Sequence, residues 1–192
     1  APRYHGAMRH AGPTRKELGV PTVFNFLGPL ANPARVRRQV TGVADGAMAE
    51  RMVQVLAANG SERALVVYGH DGLDELTTTT TSTVHELIDG EVRTYDIDAA
   101  DYGIARTTLD ALRGDDPATN ARLARLILDG TPGPGADIVA LNAAAGLLAA
   151  GVVDSWADGV EAARASLAEG RAAAALERLV VESQAAKAAE SA

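Results

Sequence analysis

Ala64-Leu65-Val66-Val67-Tyr68-Gly69-His70-Asp71-Gly72-Leu73-Asp74-Glu75 sets a short apolar run directly before three carboxylates. A run of this length and valine content reads as a buried strand. Upstream, Gln39 to Ala44 reads as another strand. Ala47 to Ala58 reads as a helix with Met48, Met52, Val55 and Leu56 on one face. Strand, helix and strand in succession make a β-α-β unit and imply parallel pairing. The acidic segment then falls at the carboxyl end of a strand, where ligands collect in open α/β sheets. Gly72 permits a tight turn among the acids. Two readings stand side by side: a solvated acidic turn, or a ligand set for a hard cation such as Mg²⁺, which usually arrives with phosphate oxygens.

Downstream, Ser82 to Leu87 and Glu91 to Ile97 flank Asp89-Gly90, a favoured two-residue hairpin turn. Thr77 to Thr81 is a run of β formers, for which a structural role is expected. The rest turns helical. Asp116-Pro117 opens a helix through Leu128, with the acid as N-cap and proline in the first turn. Ala136 to Ala150 is apolar enough to be buried almost all round. Ser155-Trp156-Ala157-Asp158 opens the next helix, Gly170 separates it from a last alanine-rich one, and the tail beyond Ser183 is expected to fray. Before all this, Thr14 to Gly19 reads as a brief helix. Val23 to Leu27 is a short apolar run broken by Gly28-Pro29 and Asn32-Pro33. The division expected is therefore a helical piece and hinge over residues 1–35 and an α/β domain over residues 36–192.

Composition narrows the partners. The 192 residues are 47% hydrophobic, enough for a sizeable core, and carry a formal net charge of −7. That balance argues against a general nucleic-acid or anionic-membrane surface, since both need a basic footprint. There is no cysteine, so disulfides and thiolate metal sites are excluded. No apolar run reaches the roughly 18 residues of a membrane span, and the N-terminus lacks a signal-peptide core; a cytoplasmic protein is expected. Asn59-Gly60-Ser61 matches a glycosylation sequon but reads as a helix-ending turn. The opening Ala1-Pro2-Arg3-Tyr4-His5 lacks an initiator methionine, and a processed or truncated chain is expected.

Four pieces occur in order at close spacing. They are His5-x-Ala7-Met8-Arg9-His10; Arg15-Lys16-Glu17-Leu18-Gly19; Phe24-Asn25-x-Leu27-Gly28-Pro29-Leu30-x-Asn32-Pro33; and Asp71-Gly72-Leu73-Asp74-Glu75. Together they resemble the anthranilate phosphoribosyltransferases over about residues 1–183. The resemblance implies transfer of the phosphoribosyl group of phosphoribosyl pyrophosphate (PRPP) to the amine of anthranilate, with Mg²⁺ as cofactor, pyrophosphate released and no covalent enzyme intermediate. It implies an α/β fold with a mostly parallel central sheet flanked by helices, the large domain of the nucleoside phosphorylase/phosphoribosyltransferase fold, joined to a small helical N-terminal piece. A homodimer formed through the helical domain is implied as well.

The same resemblance assigns residues. Asp74 and Glu75 match the acidic pair that holds Mg²⁺ against the pyrophosphate of PRPP, and Asp71 is placed second, as a shaper of the turn or a partner behind the ligands. Arg15 matches the arginine that contacts the anthranilate carboxylate, where a planar fork of donors meets a planar acceptor. A surface charge opposite Glu17 or Glu62 is its other reading. Pro2, Met8 and Pro29 fall where the family lines its anthranilate channel, although Met8 equally suits core packing. His5 lies in the same segment, as a structural residue or a base.

Two departures follow. Gly6 stands where the family commonly has proline, which loosens the backbone there. The family's glycine-rich PRPP loop has no counterpart in these residues, so the chain is expected to be the C-terminal part of the enzyme, inactive without an N-terminal half supplied in cis or trans. The alternatives are a paralogue with another acceptor and a non-catalytic binding or assembly module.

Overall fold

A computed structural model describes residues 6, 8–20, 22 and 24–190 of the chain. Two short helices come first, α1 (Met8–Leu18) and α2 (Phe24–Leu30). The first begins earlier than the brief helix expected, and it stops at Gly19, whose φ of 63° a side chain would resist. The centre holds β1 (Arg38–Gly42), α3 (Gly46–Ala58), β2 (Arg63–Gly69), β3 (Thr81–Ile88) and β4 (Glu91–Asp98). A 3₁₀ turn, Ala99–Tyr102, leads to α4 (Leu109–Leu112), α5 (Pro117–Leu128), α6 (Pro134–Ala150), α7 (Trp156–Ala168) and α8 (Arg171–Glu190).

The four strands form one sheet in the order β1-β2-β3-β4. β1 and β2 pair in parallel across α3, as the β-α-β pattern requires. β2 with β3, and β3 with β4, are antiparallel. The sheet described is therefore mixed, where a mostly parallel one was expected. The reason is local. No helix lies between β2 and β3 to carry the chain back across the sheet, and the Asp89-Gly90 turn, with φ of 53° and 81°, reverses it again.

Alternation along β2 sorts the core into two layers. Ala64 and Val66 face α3, packing with Val43, Ala49, Met52, Val53, Leu56 and Leu87. Leu65 and Val67 face the other way, onto Leu76, Val84, Ile104, Leu141, Ala144 and Ala145. Burying each of the valine, leucine, isoleucine and methionine side chains contributes about 1.5–3 kcal/mol. Helix α3 buries the i, i+3, i+4, i+7 set Ala49, Met52, Val53 and Leu56. Val55, expected on that face, is 41% exposed, because it stands more than half a turn from Val53. Helix α6 buries Ala140, Leu141, Ala144, Ala145, Leu148 and Ala149, yet leaves Val139, Ala143 and Gly146 open. It lies against the sheet with one side free, rather than buried all round. The last helix continues to Glu190 without fraying at Ser183.

Side-chain caps mark several of the helix starts. Asp45, Asp116 and Ser155 accept from the backbone N–H groups of Ala47, Thr119 and Asp158. Asn59 and Gly60 end α3, so the sequon is a helix-ending turn.

Candidate active site

The loop from His70 to Thr80 leaves the carboxyl end of β2 and holds the acidic segment. It turns tightly at once. Gly69 N–H donates to Leu73 O at 2.9 Å and Gly72 N–H to Gly69 O at 3.0 Å, with Gly72 at φ 93°.

Asp71 is spent on this turn. Its Oδ1 accepts from Leu73 N–H at 3.2 Å, and its Oδ2 accepts from the Thr77 hydroxyl at 2.6 Å and from the Thr79 hydroxyl. Burial alone would raise its pKa, but these donors together outweigh burial and hold the carboxyl below its ordinary range. Thr77 and Thr79 thus serve the structure through their hydroxyls, while Thr81 opens β3.

Asp74 and Glu75 remain exposed. Partial desolvation, then repulsion from Asp74, then from Asp71, raises the pKa of Glu75. The backbone beneath them is confined. The Asp74 carbonyl lies so close to Gly42, at the end of β1, that a Cβ on Gly42 would collide with it. One residue on, Leu76 N–H donates to Asn142 Oδ1 at 3.0 Å, while Asn142 Nδ2 donates to Leu76 O at 2.8 Å and to Ile138 O at 3.0 Å. Asn142 is not among the residues that the sequence singles out. Its signal is nevertheless there, as an amide in the middle of an alanine- and leucine-rich helix.

This donor set suits a small hard cation. Among the described residues no three histidine or acidic side chains converge as metal ligands, and Asp71 is drawn inward. Two adjacent exposed carboxylates remain, and Mg²⁺ commonly takes one or two carboxylates and completes its shell with water and phosphate oxygens.

Arg15 lies on α1. Its Nη2 donates to Asn25 Oδ1 at 3.4 Å, and its guanidinium sits 5.8 Å from the centre of the Phe24 ring. With Gly12, Lys16, Gly19, Val20 and Asn25 it lines a shallow recess of about 390 Å³. Glu62 is not its partner; that carboxylate pairs with Arg37 at 3.0 Å and Arg38 at 3.1 Å. Pro29, in α2, lines a different recess of about 450 Å³ with Asn32, Arg35 and Arg37. Neither recess includes Asp74 or Glu75. Met8 opens α1, and Pro2 and His5 lie outside the described residues. Among the described residues, a Cβ on Gly6 would meet nothing within 4 Å.

Comparison with known proteins bears on the family and the fold. The family model described as "Glycosyl transferase family, a/b domain" matches residues 1–173. The anthranilate phosphoribosyltransferase of Azorhizobium caulinodans is 48% identical over 185 residues, covering 96% of this chain and 54% of the relative. The crystal structure of the anthranilate phosphoribosyltransferase of Thermus thermophilus superposes with a TM-score of 0.85 at 46% identity, over 92% of this chain and 52% of that one. The Saccharomyces cerevisiae enzyme in complex with PRPP and Mg superposes with a TM-score of 0.82 at 31% identity, over 92% and 51%. The chain spans about half the length of the curated relatives it matches. By the match over residues 1–173, it belongs to the glycosyl transferase family and falls in that family's α/β domain.

Proposed function

We propose that this chain serves the transfer of the phosphoribosyl group from PRPP to anthranilate, giving N-(5-phosphoribosyl)anthranilate and pyrophosphate. One observation carries the reading: two adjacent, mutually repelling carboxylates stand exposed on a braced loop at the carboxyl end of β2. The names of the relatives, and the PRPP and Mg in the yeast complex, support it.

In this reading Asp74 and Glu75 hold Mg²⁺, which when bound would offset the charge that builds on the departing pyrophosphate. Asp71 acts behind them by holding the turn. Arg15 meets the anthranilate carboxylate with its planar fork of donors. Pro29 and Met8, with Pro2 and His5, belong to the walls around the acceptor. The ribosyl C1–O bond breaks, the anthranilate nitrogen bonds to C1, and the excess proton leaves the amine for solvent. No covalent enzyme intermediate is needed, and positioning with charge stabilisation supplies the rate. Residues 1–35 serve as helical piece and hinge, and residues 36–192 as the α/β domain.

Steady-state kinetics of the native protein test this. Asp74→Asn with Glu75→Gln should raise the Mg²⁺ and PRPP concentrations needed for half-maximal rate and leave the anthranilate KM nearly unchanged. Equal effects on both substrates would overturn the assignment.

A further inference from the structure

Helix α6 reaches the acidic loop through one side chain. The Asn142 amide meets both backbone polar groups of Leu76, accepting from its N–H at 3.0 Å and donating to its carbonyl at 2.8 Å. Its second N–H donates to Ile138 O at 3.0 Å, which ties the amide to the preceding turn of α6. Leu76 itself is fully buried and packs with Leu141, the residue before Asn142. Glu75 and Leu76 share a peptide bond, and the groups Asn142 holds are the two that flank the Leu76 Cα. On the other side, Gly42 leaves no room for the Asp74 carbonyl to retreat.

We propose that Asn142 is a positioning residue for the Asp74–Glu75 pair, acting through the Leu76 backbone to hold the two carboxylates in the spacing a cation requires. The inference rests on the reading of that pair as cation ligands. The physical need is clear from the electrostatics. Two carboxylates that repel each other gain by moving apart, and only a constrained backbone keeps them together before a cation arrives. An exposed loop without such a brace would spend part of the cation's binding energy on ordering itself. Asn142 touches no carboxylate, so its effect is transmitted along the chain, as partners behind metal ligands generally transmit theirs.

The test uses the native protein with Mn²⁺ and inorganic pyrophosphate as probe, read by water proton relaxation, together with hydrogen exchange at the Leu76 to Thr78 amides. Asn142→Ala should weaken Mn²⁺–pyrophosphate binding about tenfold and speed exchange at Leu76. Leu148→Val, a core truncation further along α6, should leave binding within about twofold of native. Asn142→Asp keeps an acceptor for the Leu76 N–H but loses the donor to its carbonyl. It should fall between native and Asn142→Ala, and it carries the test if the alanine variant does not fold. Native binding in either Asn142 variant, with Leu76 exchange accelerated, would overturn the proposal, as would equal weakening by Leu148→Val. Undiminished binding in Asp74→Asn with Glu75→Gln would instead overturn the cation reading beneath it.

Discussion

The carbonyl of Asp74 is seated against Gly42, so that the backbone carrying the acidic pair rests on the end of the neighbouring parallel strand. No side chain fits between them. Gly42→Ala should therefore cost about 3 kcal/mol, at the upper end for inserting a methyl group where nothing yields. That corresponds to a fall in Tm of roughly 6–12 °C for a chain of this size. Thermal unfolding by circular dichroism checks it, and an unchanged Tm would show that the loop moves freely off β1.

Asp71 makes a pH-dependent contribution with a definite sign. Its folded pKa lies below the ordinary value of 3.8: burial raises it, but the hydrogen bonds from Thr77, Thr79 and the backbone together outweigh burial. The stabilisation is present above that ordinary value and is lost as pH falls through the lower, folded value. Asp71→Asn should lower Tm at pH 7, and the gap from native should close in the acid range below pH 4. A gap independent of pH would place its effect in packing rather than in the charged hydrogen bonds.

His85 has the opposite chemistry. It is 7% exposed, with Nδ1 at 2.9 Å from the Thr94 hydroxyl. Desolvation lowers its pKa from 6.5, against a smaller raising effect of Glu50. Protonation then favours the unfolded chain, so this part of the stability is complete above pH 6.5 and is lost as pH falls below it. His85→Gln should flatten the decline of Tm between pH 7 and pH 5. An equally steep decline in the variant would assign it to other groups.

Arg15 separates the two substrates. If its guanidinium holds the acceptor carboxylate, Arg15→Ala loses a charge-assisted contact of about 1.5–3 kcal/mol. The anthranilate KM should then rise roughly ten- to hundredfold, with the PRPP KM held within about twofold. An unchanged anthranilate KM would leave Arg15 as a surface cation stacked near Phe24.

Much of the architecture was readable from the residues, for reasons that lie in local chemistry. The run after α3 shows as a strand because its apolar residues are consecutive, and Asp89-Gly90 shows as a turn because few other pairs accept two positive φ angles. Asp116 and Ser155 announce helix starts by the hydrogen bonds they make. What escaped depends on the path of the chain in space. The mixed sheet follows from the missing helix between β2 and β3. The inward turn of Asp71 depends on hydroxyls six and eight residues away, which no spacing rule selects. Asn142 lies 66 residues from Leu76, and its partner was invisible until α6 was packed on the sheet.

The most direct measurement follows product formation by the native protein supplied with PRPP and anthranilate, with and without Mg²⁺. The account predicts N-(5-phosphoribosyl)anthranilate and pyrophosphate in equal amounts, dependent on Mg²⁺ and diminished at limiting Mg²⁺ and PRPP by Asp74→Asn with Glu75→Gln. Undiminished turnover in that double variant at those concentrations, or no product from the native protein with both substrates and Mg²⁺ present, would contradict it.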